Sequence, residues 1–553
     1  MHKLIAKLPL QFRILYRHFV LRIIDFEALS VQADIAGFLG QFAGVLLMLS
    51  LVHAFAVCIY LIWPVADQPV FAWHMEQYLI DTTILIVGLF AVITWDAAFP
   101  DRRDILVLSP LPVTTRTLLL AKMSASSALL GGAVLILNLA SGVAWPFVLG
   151  AENGFLRTLA AYWIATIAAA VFLYGSLLAV QGFTALLLPR RVFLRLSAFL
   201  QLAAFVVFLC VYFLQQAIPI PAMMAPENHR LLSISPSYWY FALFHQLKGS
   251  LPSALSWLAW RGWLALGISM SGAAISLLLC YVRTMRKIVE EPDLVPAARG
   301  SHFSLRLGGL LQTATLLFFV RSLARSRQHR VVFAFYLGAG FALALLFLRS
   351  DWPSSLARRP ITLGFSVATL VMMTFAVVGL RSTFSLPISL TANWVLRITQ
   401  LSPPERYLAA TRRSLLLLAV VPVWLGSSIY LFCLAPLWQA TGHLAVLALF
   451  GSILVDLNLF SFYKVPFTCS YLPGKSNIQF GFWAFLLLFI PLAMLGAHYE
   501  LQALNHSWHC AFMLSALGIV AYGLWAWNRH RSKSAVLYFE ELPEEVILTL
   551  GLT

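Results

Sequence analysis

The feature that most narrows the folds open to this 553-residue chain is its repetition of long apolar stretches with almost no charge inside them. A helix rises about 1.5 Å per residue and the hydrocarbon core of a bilayer is about 30 Å thick, so about twenty apolar residues cross it. Twelve stretches meet that length, near residues 38–63, 77–95, 124–149, 156–187, 192–217, 257–282, 331–348, 361–380, 414–435, 441–462, 479–498 and 508–528. With 61% hydrophobic and only 11% charged residues, the chain lacks the polar surface to cover a soluble globule. Backbone polar groups in lipid must be satisfied within the segment, which a helix does. The expected fold is therefore all-α, a polytopic integral membrane protein of about twelve transmembrane helices.

The distribution of Lys and Arg sets the expected orientation. Alternate crossings from a cytoplasmic N-terminus leave 31 of the 38 Lys and Arg on the inside, with Arg157, Lys248, Arg230, Arg261, Arg349, Arg358 and Arg359 outside. Both termini are therefore expected in the cytoplasm, with a bacterial cytoplasmic (inner) membrane as the host. The net charge of +16 is explained by basic residues crowding the inner ends of spans against anionic membrane lipid, and no nucleic acid partner is expected. Cys58, Cys210, Cys280, Cys433, Cys469 and Cys510 form no C-x-x-C pair, and most fall within apolar spans, so no disulfide framework is implied. No signal peptide with a small-residue cleavage site opens the chain; Leu8–Phe26 instead mixes bulky apolar residues with Arg13, Arg17 and Arg22, as an interfacial helix does.

The longest internal segment, Arg283–Arg330, begins as a polar linker with Pro292 and Pro296 and ends as a basic amphipathic helix. Six spans precede it and six follow. This division predicts a first six-helix half over 1–290, with its N-terminal interfacial helix, and a second over 291–553, with a cytoplasmic tail. A repeat is visible in the inner loops: Leu108-Ser109-Pro110 answers Leu401-Ser402-Pro403, and Pro112 to Lys122 spans the same interval as Pro403 to Arg413. The two matches do not share one register. Ser402 and Glu405, with Pro403 at the first helical position, make a capping box. The external links differ, Tyr499–His509 being far shorter than Ile218–Trp257.

Asp101–Ser124 reads as a short basic helix starting after Pro112 and running through Thr114, Arg116 and Leu118–Leu120 to Lys122. As residues alone, it serves equally as an ordinary positive loop that fixes topology. It also resembles the loop between the second and third helices of type-2 ABC exporter permeases, where a proline, an arginine and a leucine run ending in Ala-Lys precede the next span. Ile218–Trp257, with Pro219, Pro221 and Pro236 before Trp239, Tyr240 and Phe244, resembles the partly embedded external helices of that family. The resemblance implies the membrane subunit of an exporter for a lipid-like, glycan or drug-like molecule. It implies ATP hydrolysis by a separate ATP-binding cassette subunit, a dimer, docking at Pro112, Arg116 and Lys122 and at Pro403, Glu405, Arg406 and Arg413.

The chain itself shows no ATPase and no other enzyme motif, and no cofactor is expected. Gly474-Lys475-Ser476 has Cys469 where a phosphate-binding loop needs its first glycine, and an apolar span instead of a strand before it. G-x-S-x-G and H-E-x-x-H are absent from the sequence. Asp456, with Asn458 beside it, is the best intramembrane polar candidate, ahead of Asp81 and His53; an interhelical hydrogen bond is its structural alternative to a substrate role. His498, Glu500, His506 and His509 cluster near an external turn, but their spacing matches no standard zinc site, and no metal is expected. Two alternatives stay open. A major-facilitator-type carrier also has six plus six helices, but Ala97 and Asp104 replace the glycines its second internal loop needs around Asp101-Arg102. A membrane-embedded transferase for lipid-linked substrates would have to use the histidine cluster or Glu227.

Overall fold

A computed structural model describes residues 9–24, 35–62, 68–95, 99, 111–150, 153–215, 218–290, 309–349, 360–388, 393, 404–460, 462–469, 488–533 and 536–540. They are helical almost throughout, and ten of the described helices are long and apolar enough to cross a membrane. This makes the chain an all-helical membrane protein. Of the other two expected spans, 192–217 is helical up to Leu214, with the shorter apolar part Phe199–Leu214. Residues 479–498 lie partly outside the described residues. Contacts divide the chain into two compact units, one mainly up to Ala297 and one mainly from Ala298.

Unit one holds α1 (Leu10–Ile24), α2 (Ile35–Ile62), α3 (Gln68–Ile93), α4 (Thr115–Leu137), α5 (Ser141–Leu149), α6 (Phe155–Leu187) and α7 (Arg190–Leu214). It continues with the short α8 (Ile220–Met223) and α9 (His229–Ile234), then α10 (Pro236–Lys248) and α11 (Ser256–Glu290). The start of α4, with α1 packed on it, forms the basic end of this unit, and α10 lies at the far end. Thr114 caps α4 by accepting from the Thr117 N–H at 3.2 Å, so the helix begins at Thr115 and Pro112 precedes it.

The expected continuous span 124–149 is broken. α4 stops at Leu137 and the chain restarts at Ser141. A break in a packed apolar helix requires partners for freed backbone groups, and Ser50 of α2 supplies them by accepting from the N–H of Ala140 at 3.0 Å and of Ser141 at 3.3 Å. The Asn138 amide at the break donates to the Val134 carbonyl at 3.0 Å and to Thr83 of α3 at 3.2 Å. An apolarity count sees none of this, because serine and asparagine hardly change it.

α6 and α11 pack closely because small residues recur at seven-residue intervals on both: Gly175 and Gly182 face Ser269 and Ser276. A Cβ on Gly182 would stand 2.5 Å from the Ser276 hydroxyl oxygen. Small residues at such crossings let backbones approach, which drives helix association in lipid. Gly182→Val is expected to destabilise the detergent-purified chain by about 1–3 kcal/mol in thermal unfolding, as overpacking does. Gly267→Ala on α11, with open space around it, is expected to leave the melting temperature unchanged.

Unit two holds α12 (Leu310–Arg325), α13 (Arg327–Leu348), α14 (Leu363–Phe384), α15 (Pro404–Leu415), α16 (Val421–Leu434), α17 (Leu437–Leu459), α18 (Ile490–Leu504) and α19 (Ser507–Ser532). A π turn, Leu416–Val420, joins α15 to α16 without interrupting the helix. Its core forms around α14, whose Val371, Met373, Val377 and Leu380 are fully buried. α12 packs on α15 as α1 packs on α4. Phe19 and Phe319, each followed by valine, are the large buried residues of the two amphipathic helices. At this basic end Tyr538 donates its backbone N–H to the Tyr463 carbonyl, and Val465 donates to the Tyr538 carbonyl, both at 2.9 Å. Phe467 sits beneath this pairing with φ at 68°, a strained conformation for a bulky residue. Its ring is held among Phe318, Phe319, Phe384 and His329.

Candidate functional site

The two docking segments expected from the sequence both sit at basic ends, but their charges fall into different environments. Pro112, just before α4, and Arg116 on it are exposed, and the Pro112 carbonyl accepts from the Gln11 side chain of α1 at 3.3 Å. Lys122 is buried at 4% exposure. Its ammonium donates to the Phe99 carbonyl at 2.5 Å and lies 5.4 Å from the centre of the Phe19 ring. It belongs to the stripe Leu118, Ala121, Lys122 and Ala125 that α1 covers, so its ammonium is taken up in the packing of α1 on α4. That i, i+3, i+4, i+7 stripe was the signal in the sequence.

On α15 the exposed cations are Arg406 and Arg413, seven residues apart on one face. Arg413 also donates to the Gln312 side-chain oxygen of α12. Glu405 is half-buried in the first turn, while Pro403 and Ser402 lie outside the described residues. The missed residue is Arg412, which turns inward and grips the fully buried Asp456 of α17 with two parallel hydrogen bonds, Nε to Oδ1 at 2.7 Å and Nη2 to Oδ2 at 2.8 Å. Asp456 is thus neutralised by the loop helix. Asn458 does not join it, since its amide returns to the Leu454 carbonyl of its own helix at 2.8 Å. Cys469 is buried, and burial pushes its thiol above the usual range; Gly474-Lys475-Ser476 lies outside the described residues.

A buried polar assembly lies toward the far end of unit one, on α3, and the sequence reading caught only its edge. Glu76, Gln77, Thr82 and Thr83 are all buried on one apolar helix. Glu76 Oε2 lies 2.7 Å from His245 Nε2 of α10, and the Lys248 ammonium stands 3.7 Å from its other oxygen. Gln77 donates to the Ser237 hydroxyl, which donates to the Asp81 carboxylate. Thr82 spends its proton on the Tyr78 carbonyl at 2.8 Å, so Tyr212 of α7 donates to it across 3.1 Å. Thr83 meets Asn138, whose side-chain oxygen accepts from the Tyr162 hydroxyl at 2.6 Å. Glu76, Trp145, Tyr162, Thr166 and Phe244 line a small cavity beside this seam. His53 is buried next to it with its ring edge on Tyr78. Glu76 was missed because His245 and Lys248 are far away in sequence.

In unit two the histidine cluster divides. His498, His506 and His509 are exposed, whereas Glu500 is buried and placed 2.6 Å from Nδ1 of His443 on α17. Among the described residues no group of three or more metal-ligating side chains converges. Comparison with protein-family models, curated protein sequences and solved structures gave no match.

Proposed function

We propose that the chain is the permease subunit of an ABC exporter, lying in a bacterial cytoplasmic membrane with both termini and both basic ends in the cytoplasm. Its two six-helix halves together form one pathway, worked by a separate dimeric ATP-binding cassette subunit. The observation that carries this reading is the paired construction of the basic ends. In each unit an amphipathic helix is packed on the start of a long helix that runs on as a span, α1 on α4 and α12 on α15. A short helix passes on a rigid-body push only when it is rigidly joined to what must move, and both are. Exposed Arg116, Arg406 and Arg413 give each clasp a basic face for an acidic partner surface.

The test is affinity purification of the tagged chain from native membranes, followed by mass measurement. The expected complex holds one copy of this chain and two nucleotide-binding domains, and the chain stripped of partner binds no ATP. Saturable ATP binding by the isolated chain refutes the division of labour; two copies of the chain per ATPase dimer refute the fused halves. A second reading, a proton-coupled carrier of major-facilitator type, draws on the ionisable groups of α3 and α10, since such groups in spans commonly mark ion pathways. Transport driven by a proton gradient in vesicles without ATP would select it.

A further inference from the structure

The His443–Glu500 pair can be read proton by proton. Thr369 of α14 has one hydroxyl hydrogen, and it is donated to the Ser366 carbonyl at 2.9 Å. The same oxygen lies 3.1 Å from His443 Nε2, and with its hydrogen on the Ser366 carbonyl it accepts there, an arrangement that assigns a hydrogen to Nε2. That leaves Nδ1 facing Glu500 Oε1 at 2.6 Å. A bare imidazole nitrogen and a bare carboxylate would oppose lone pairs at that distance, so one proton lies between them whichever atom holds it. Glu500 Oε2 is buried with no hydrogen-bond partner among the described residues.

Among the described residues the surroundings offer no other neutralising charge. Glu500 is 2% exposed and His443 fully buried, and His443 is the only ion-pair partner of Glu500 among the described residues. Facing the pair are Thr369 and Phe365 of α14, and Cys510 of α19, with Tyr430 of α16 stacked on the Phe365 ring at 4.7 Å. None of these is a cation. Unit one treats the same chemistry differently: Glu76 meets His245, whose other ring nitrogen is 2.7 Å from the Ser250 hydroxyl, and Lys248 supplies a fixed positive charge.

We propose that His443 and Glu500 form a proton-binding site toward the far end of unit two, holding one proton where unit one holds the Lys248 ammonium. Losing the proton would leave an unpaired negative charge in an apolar enclosure, a cost that the retained proton avoids while α17 and α18 stay joined there. Any opening between these helices therefore exchanges that proton with the compartment that wets them. The site stands on the geometry of unit two alone and does not depend on the exporter reading.

Infrared difference spectra of the purified full-length chain at neutral pH test it. Wild type minus Glu500→Gln is expected to show a protonated carboxyl C=O band or imidazolium ring modes; carboxylate bands with neither would overturn the site. His443→Gln is expected to keep the proton on Glu500 as a carboxyl band, and a carboxylate there would overturn it equally. Lys248→Met should bring a second proton to the Glu76–His245 pair, seen as a protonated carboxyl band or imidazolium ring modes and abolished in Lys248→Met/Glu76→Gln. Absence of both signals would refute the exchange of lysine for proton. If a variant fails to fold, nitrogen-15 spectra of labelled wild type decide: a histidine ring protonated at both nitrogens, or at Nε2 with Nδ1 hydrogen-bonded to an acid, supports the site. A ring of neither kind at this position refutes it.

Discussion

Arg412→Ala is expected to destabilise the chain by about 3–5 kcal/mol, the range for removing one partner of a buried ion pair. The cost comes from Asp456, which is fully buried on α17 and loses both of its 2.7–2.8 Å donors when the guanidinium goes. Asp456→Asn should cost less, because a neutral amide needs no counter-charge even though it cannot accept two parallel bonds as well. The double variant should then recover part of the loss, giving a coupling energy well above that of an exposed pair. Arg412→Lys should fall between, since a point charge cannot reproduce the fork geometry. Thermal unfolding in detergent measures all four. Additive losses would show that the pair is not the strut joining the basic end of α15 to α17.

Reversing exposed charges should instead spare the fold and abolish partner binding. Arg116→Glu, and Arg406→Glu with Arg413→Glu, are expected to leave melting temperature and membrane insertion near wild type. Placing like charges against a docked partner costs several kcal/mol, so retention of the ATPase should fall on the order of a hundredfold. Stimulated ATP hydrolysis should lose its link to transport. Lys122→Glu should do the reverse: it puts an anion against the Phe99 carbonyl and under the Phe19 ring, and the protein should fail to accumulate. Pull-down yield and melting temperature, measured on each variant, separate the two cases. Equal effects of Arg116→Glu and Lys122→Glu on stability would remove Arg116 as a docking residue.

The sites were unevenly legible. Arg406 and Arg413 fall on the exposed side of α15, as a basic amphipathic helix leads one to expect, and Arg116 on the exposed side of α4. Lys122, expected on a docking face, is buried instead, and its place in the stripe Leu118, Ala121, Lys122, Ala125 is plain once the helix is wound. Arg412 and Arg413 are adjacent, and a helical step of about 100° sends one to Asp456 and the other outward. No count of charges distinguishes them. Glu500 was grouped with nearby histidines along the chain, whereas its partner is His443, 57 residues earlier.

What the sequence determines here follows from short-range physics. Apolar runs long enough to cross a bilayer demand helices, because lipid offers backbone groups no other partner. Their helical period also fixes which residues share a face. Tertiary structure alone decided which buried polar groups meet. The pairings Glu76 with His245, Asp456 with Arg412 and His443 with Glu500 join separate helices, and none leaves a local trace. Tertiary structure also decided where a span could break, because Asn138 can interrupt a helix in lipid only where Ser50 and Thr83 of neighbouring helices stand ready to satisfy the freed groups.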